Sequence, residues 1–226
     1  MKFFLTFLLL FSLVPARAET VRLGDTDLPY SPPAGFVRAD GLFAVDLADL
    51  DKEFGLHTVI FTKYIPVADA PIREKNGRAI PSWYSHLTYD DKYSRYALGE
   101  TVFGLISHFV GKAVASQYDK PAFIHQLEAV VSGVLKRKIV IASMTPKGFV
   151  EKKPGLYSML AYGHGQVETD GGGTENFAMA NMTTFYLARG RFVTIVQGSR
   201  IRSEAGVPAF TQKALRIAAE ISHQGQ

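Results

Sequence analysis

The stretch YGHGQVETDGGGTENF, from Tyr162 to Phe177, sets His164, Glu168, Asp170 and Glu175 close together in the chain. A histidine beside carboxylates is the material of general acid–base catalysis, because such groups exchange protons near neutral pH. On that reading His164, Glu168 and Asp170 would serve a hydrolase-type site completed by residues from distant positions. Glu168, Asp170 and Glu175 are also hard oxygen donors of the kind Ca2+ prefers, but their spacing lacks the longer oxygen series of an EF-hand loop. No metal and no cofactor is expected. A second group is aromatic: Trp83, Tyr84, Tyr89, Tyr93 and Tyr96, interleaved with Asp90, Asp91 and Arg95. Rings with polar tips suit a sugar ring, a peptide or a partner protein. The same residues equally suit a sheet edge, where aromatics are common.

Other chemistries lack their motifs. The chain has no Gly-x-Ser-x-Gly, and Ser107 and His108 are neighbours within a helical pattern, where adjacent side chains diverge. The six histidines form no His-x-x-x-His pair, and His125 with Glu128 reads as a solvated contact on a helix surface. With no cysteine, disulfides, thiolate metal sites and a cysteine nucleophile are all excluded.

Compartment follows from the N-terminus. Lys2, the apolar run FFLTFLLLFSLV and the small residues of Ala16-Arg17-Ala18 have the form of a cleavable secretory signal, residues 1–18. The expected mature chain, 19–226, is soluble, periplasmic or secreted, and has no integral membrane segment. Losing Lys2 and Arg17 takes the net charge from +4 to +2, which gives no reason to expect nucleic acid. A hydrophobic content of 47% can furnish one sizeable core.

The elements that must position these residues follow from periodicity. Val21 to Gly41 reads as a short strand entering a Pro32-Pro33 turn, Leu42–Phe54 as a short helix, and His57–Ile65 as a strand. Asn76-Gly77 suits a tight hairpin between two strands, and Tyr93–Ala97 a further short strand. Val102, Leu105, Ile106, Phe109, Val110, Ala113 and Val114 define a helical stripe, with Ser107 and His108 away from it. A second helix, with Asp119 as N-cap and Pro121 in its first turn, buries Phe123, Leu127, Val130, Val131 and Val134. Its end carries Lys136-Arg137-Lys138, where cations favour the helix dipole. Strands follow over Lys138–Met144, Leu156–Val167, Asn176–Leu187 and Phe192–Gly198. The helix Thr211–His223, with Ala214, Ile217, Ala218 and Ile221 inward, closes the chain. Alternation puts Leu156, Leu160, Tyr162 and His164 on one strand face, and leaves Glu168–Glu175 as a hairpin loop. The expected fold class is α+β, an antiparallel sheet with helices packed on it.

Pro33-Ala34-Gly35-Phe36-Val37 has a counterpart in Pro146-Lys147-Gly148-Phe149-Val150, and Pro121-Ala122-Phe123 in Pro208-Ala209-Phe210. These pairs suggest duplicated halves, 20–140 and 145–226, within one domain. The run MTTFYLARGRFVTIVQGSRI with its closing helix, and the opening LPYSPPAGFVRADG, resemble the last hairpin and helix and the first strand pair of the PsbP/Mog1-like fold. The chain also resembles uncharacterised exported bacterial proteins in the order signal, Pro33 to Phe36, Arg95-Tyr96-Ala97, and Gly190-Arg191-Phe192. That resemblance implies an adaptor, assembly or accessory role. The expected function is a non-catalytic binding protein of the bacterial envelope, taking a small ligand or a protein partner, with the hydrolase-type site as the alternative.

Overall fold

Alternating side chains and tight turns account for most of the architecture. The computed structural model describes residues 19–39, 58–75, 81–90, 94–135, 137–169 and 171–225. The signal segment 1–18, the helix expected over Leu42–Phe54, the Asn76-Gly77 pair, Tyr93 and Asp170 lie outside the described residues.

The first segment is a hairpin rather than a lone strand. β1 (Glu19–Leu23) and β2 (Thr26–Tyr30) pair with each other as a separate ribbon. Then come β3 (Phe36–Arg38), β4 (Thr58–Pro66), β5 (Trp83–Asp90), α1 (Glu100–Gln117), α2 (Pro121–Leu135), β6 (Ile139–Lys153), β7 (Leu156–Glu168), β8 (Thr174–Ala188), β9 (Arg191–Ile201) and α3 (Val207–Gln224). Seven of the strands make one sheet in the order β3-β4-β5-β9-β8-β7-β6, antiparallel at every pairing. The fold is α+β. Two turns set the long meander. Arg189 and Gly190, with φ of 47° and 80°, form the two-residue turn whose twist matches paired strands. Pro154-Gly155, with Gly155 at φ 70°, joins β6 to β7.

Each face of the sheet carries its own helical layer. On one face α3 buries Phe210, Ala214, Ile217, Ala218 and Ile221 against Leu160, Met182, Tyr186, Val193 and Ile195, and the β1–β2 ribbon adds Leu23, Leu28 and Tyr30. Each Leu, Ile, Val, Met or Phe side chain among them contributes about 1.5–3 kcal/mol when taken fully out of water. The buried Tyr186 hydroxyl donates to Tyr30 at 2.6 Å, so ribbon and sheet share one polar contact inside the core. Arg191, nearly buried, donates to Thr26 Oγ1 at 3.1 Å and to the Arg95 carbonyl at 2.6 Å, and pairs with Asp25. It thereby ties the ribbon to the turn after β5. On the opposite face α2 sets Ile124, Leu127 and Val131 on Ile139, Ile141 and Val167, while α1 sets Phe103 on Met159, Phe185 and Phe192.

Several expectations change. The stripe foreseen on α1 is rotated: Phe103, Ser107 and Gly111 are buried, whereas Val102, Leu105 and Phe109 are 48%, 57% and 69% exposed. The cause is steric. A Cβ at Gly104 would lie 2.9 Å from the Tyr157 hydroxyl and one at Gly111 3.1 Å from Phe149 Cε1, so these glycines admit rings from the sheet. α2 begins at Pro121 with Lys120 accepting from Ile124 N–H, so Asp119 is not its cap. Ser94–Tyr96 turns rather than forming a strand, held by Ser94 Oγ donating to the Phe192 carbonyl at 2.6 Å. The residues before Asn76 form a 3-10 helix, Val67–Lys75. β6 runs through the seam suggested at 140–145, the two strand groups join at β5–β9, and their helices occupy opposite faces.

Candidate functional site

A solvent-open concavity arises where β8 outlasts β9. β9 makes its last pairing at Ile201 opposite Ala178, and the chain then bends through Ser203 into a 3-10 turn, Glu204–Gly206, and α3. Among the described strands, β8 continues to Thr174 with only β7 beside it. The gap is a groove of about 570 Å3 between β7, β8 and the segment Arg200–Ser203.

His164 lines this groove. Its Nδ1 lies 3.0 Å from Ser143 Oγ on β6, and its ring is 6.4 Å from that of Tyr162. Cations gather at the rim. Arg200 pairs with Glu175 at 2.7 Å, and Lys147 pairs with Glu204 at 2.5 Å while lying 5.9 Å from the centre of the Tyr162 ring. Arg202 has no ion-pair partner among the described residues and lines the same groove. The arrangement offers hydrogen-bonding groups and unsaturated positive charge to a bound molecule.

Only part of the expected site is assembled here. Glu168 shares a strand face with His164 but stands four residues along, about 13 Å away in extended chain. Glu175 pairs across from Val167 and projects to the other face, where Arg200 holds it. The sheet therefore separates Glu168 from Glu175, and they cannot share a Ca2+ ion. The loop is also shorter than expected, because pairing extends to Glu168 and Thr174 and leaves five residues, 169–173. Gly163 and Gly165 belong to the strand. A Cβ at Gly163 would lie 2.8 Å from the Ser143 carbonyl and one at Gly165 3.1 Å from Ile141 Cα, so the bulged edge strand crosses close over both.

Trp83 and Tyr84 point to opposite faces, as adjacent strand residues must. Trp83 is a core residue on the α3 side, with Phe210 at 4.9 Å, Lys213 over its ring at 4.4 Å and Nε1 donating to Ser85. Tyr84 enters the α1–α2 side, where its hydroxyl donates to Asn181 Oδ1 at 2.7 Å. Burial, with the Tyr118 hydroxyl adding to it, raises the Tyr84 phenol above its ordinary value. Its ring neighbour at 4.9 Å, His86, is pushed down to about 3, first by burial and then by Lys63 across the strand pair. Lys63 is itself lowered by burial. These partly buried groups form a polar seam on the α1–α2 side, and among the described rings of the expected aromatic surface Trp83 and Tyr89 pack on the α3 side while Tyr84 lies on the other.

The groove residues Tyr162, Arg200 and Arg202, and Ser143 and Lys147 beside them, carry no motif. The available signal was period-two alternation, which places Tyr162 and His164 on one face and, once the strand ends are known, beside Ile201. Among the described residues no three histidines or carboxylates are grouped to hold a metal ion, and no helix is long and apolar enough to cross a membrane. What fold and site define is an α+β protein whose antiparallel sheet ends in a cation-rimmed groove. Comparison with protein-family models, with curated proteins and with solved structures gives no match.

Proposed function

We propose that this chain is a non-catalytic accessory protein of the bacterial envelope, carried to the periplasm or beyond by its N-terminal signal, that holds a small ligand or partner protein in the groove at the end of its sheet. The observation that carries the reading is the groove itself: about 570 Å3, open to solvent, with His164 braced by Ser143 and Arg202 unsaturated at the rim. Co-purification of the mature chain from an envelope fraction, followed by titration of the recovered molecule, tests it. His164→Ala and Arg202→Glu should each weaken that binding, and a molecule that binds both variants as tightly as the parent would sink the reading.

The Ser143–His164 contact favours a hydrolase-type alternative, since a histidine within hydrogen-bond reach is what activates a serine. Covalent labelling of Ser143 by a fluorophosphonate, abolished in His164→Ala, would establish it in place of the binding role.

A further inference from the structure

The groove exposes backbone as well as side chains. In an antiparallel ladder, successive residues turn their N–H and C=O groups to alternate sides. The tip of the β7–β8 hairpin sets the phase, because Thr169 N–H donates to the Gly173 carbonyl at 2.8 Å, so odd-numbered residues of β8 face β7. The two-residue turn closed by Ala188 and Arg191 gives the same phase from the other end. Thr174 and Asn176 consequently direct an N–H and a C=O each toward the side that β9 leaves after Ile201. Such groups require partners.

We propose that the groove binds an extended acidic peptide segment as an added strand on β8, continuing the line of β9; this rests on the groove being the binding site. Thr174 to Ala178 spans about 13 Å, the reach of four or five extended residues. Main-chain pairing to Thr174 and Asn176 supplies register, and alternate side chains fall on the two faces of the sheet. On one face stand Asn176, held by Gln166 at 3.1 Å, and His164. The charge is set by the rim: Glu175 already occupies Arg200, which leaves Arg202 to receive a carboxylate. A small anion would use Arg202 and leave the four backbone groups to water. An extended acidic chain satisfies both.

The test uses the mature chain and two degenerate libraries of acetylated hexapeptides, one with a fixed aspartate and one with lysine in its place. The aspartate library is retained and the lysine library is not, and Arg202→Glu reduces retention about tenfold. The best binder is then remade with N-methyl groups on alternate amides. One phase weakens binding about tenfold, since it removes the two bonds to β8, while the other changes it little. The Thr174 and Asn176 amides gain protection from hydrogen exchange only with the unmethylated peptide. Retention of neither library, or equal loss with both methylation phases, overturns the proposal. If N-acetylaspartate or a disaccharide then still shifts the His164 and Tyr162 resonances, the groove remains the binding site and only the peptide assignment falls. If none does, both fall together.

Discussion

Replacing Gly198 with alanine isolates one steric condition on which the α1–α2 face depends. Gly198 lies in β9 directly opposite Tyr84 of β5, and a Cβ there would fall within contact distance of Tyr84 Cζ, Oη and Cε1. The ring cannot give way in place, because its hydroxyl is tied to Asn181 and its edge rests against His86. It must swing out. That forfeits a hydrogen bond of about 1 kcal/mol, a ring contact of about 0.5–1 kcal/mol, and about 1–2 kcal/mol of the burial an aromatic side chain provides. The lower entropy of an unfolded chain with alanine returns about 0.4–1 kcal/mol. Gly198→Ala should therefore destabilise by about 2–3 kcal/mol, seen in urea unfolding as a lower midpoint at unchanged slope. In a Tyr84→Ala background the same substitution should be neutral or slightly stabilising, so the double-mutant coupling carries nearly the whole effect. Equal cost in both backgrounds would refute this account of why glycine stands at 198.

Further outcomes follow from the same geometry. Gly133→Ala in α2 meets no atom within 4 Å and should raise stability by about 0.5–1 kcal/mol in thermal unfolding, since it gains helix propensity unopposed. Gly111→Ala should instead cost about 1–2 kcal/mol, because its methyl meets the Phe149 ring held between His108 and Lys152. His86 takes a proton in the unfolded chain near the ordinary histidine value of about 6.5 but resists one in the fold until about 3. Stability should thus fall as pH drops through that window, with a slope approaching 1.4 kcal/mol per pH unit; His86→Asn should flatten the profile there. Arg191→Met should cost about 2–3 kcal/mol by leaving the Arg95 carbonyl and Thr26 without their donor, and should open the β1–β2 ribbon to hydrogen exchange before the sheet.

Most of the antiparallel meander was legible because its strands alternate and its turns carry their own chemistry, Arg189-Gly190 above all; β6, interrupted by three register shifts, runs past the Met144 end expected for it to Lys153. The α3 stripe of Ala214, Ile217, Ala218 and Ile221 was legible for a related reason: Thr211, Gln212, Lys213, Arg216, Glu220 and His223 make the opposite side largely polar, so one orientation hides most of the apolar residues. α1 gave no such choice. It is apolar on most sides, and its orientation is decided by Tyr157 and Phe149, which reach Gly104 and Gly111 from strands far along the chain. His164 could be assigned to a strand face, and that assignment put it in the groove. Its neighbours could not be assigned, because Ser143 reaches it across a bulged pairing and Arg202 reaches the groove only through the point at which β9 stops. Local periodicity records neither a register shift nor a strand end.

The treatment of the sheet's edges bears on where binding is to be sought. At one margin β3 is only three residues long. At the other, β6 is fifteen residues long and would template pairing with other chains, but it is broken by three register shifts and carries Pro146, Lys147, Lys152 and Lys153. Bulges, proline and lysine are the devices that make an edge strand a poor partner. The inner edge at Thr174–Asn176 has none of them: its pairing with β7 is unbroken from Leu156 to Glu168, and its cations stand on the opposite wall of the groove, not on the strand. A chain that blunts its longest edge while leaving a short recessed one straight has confined strand addition to a place where only a short segment can enter. The cationic wall then selects which segment that is.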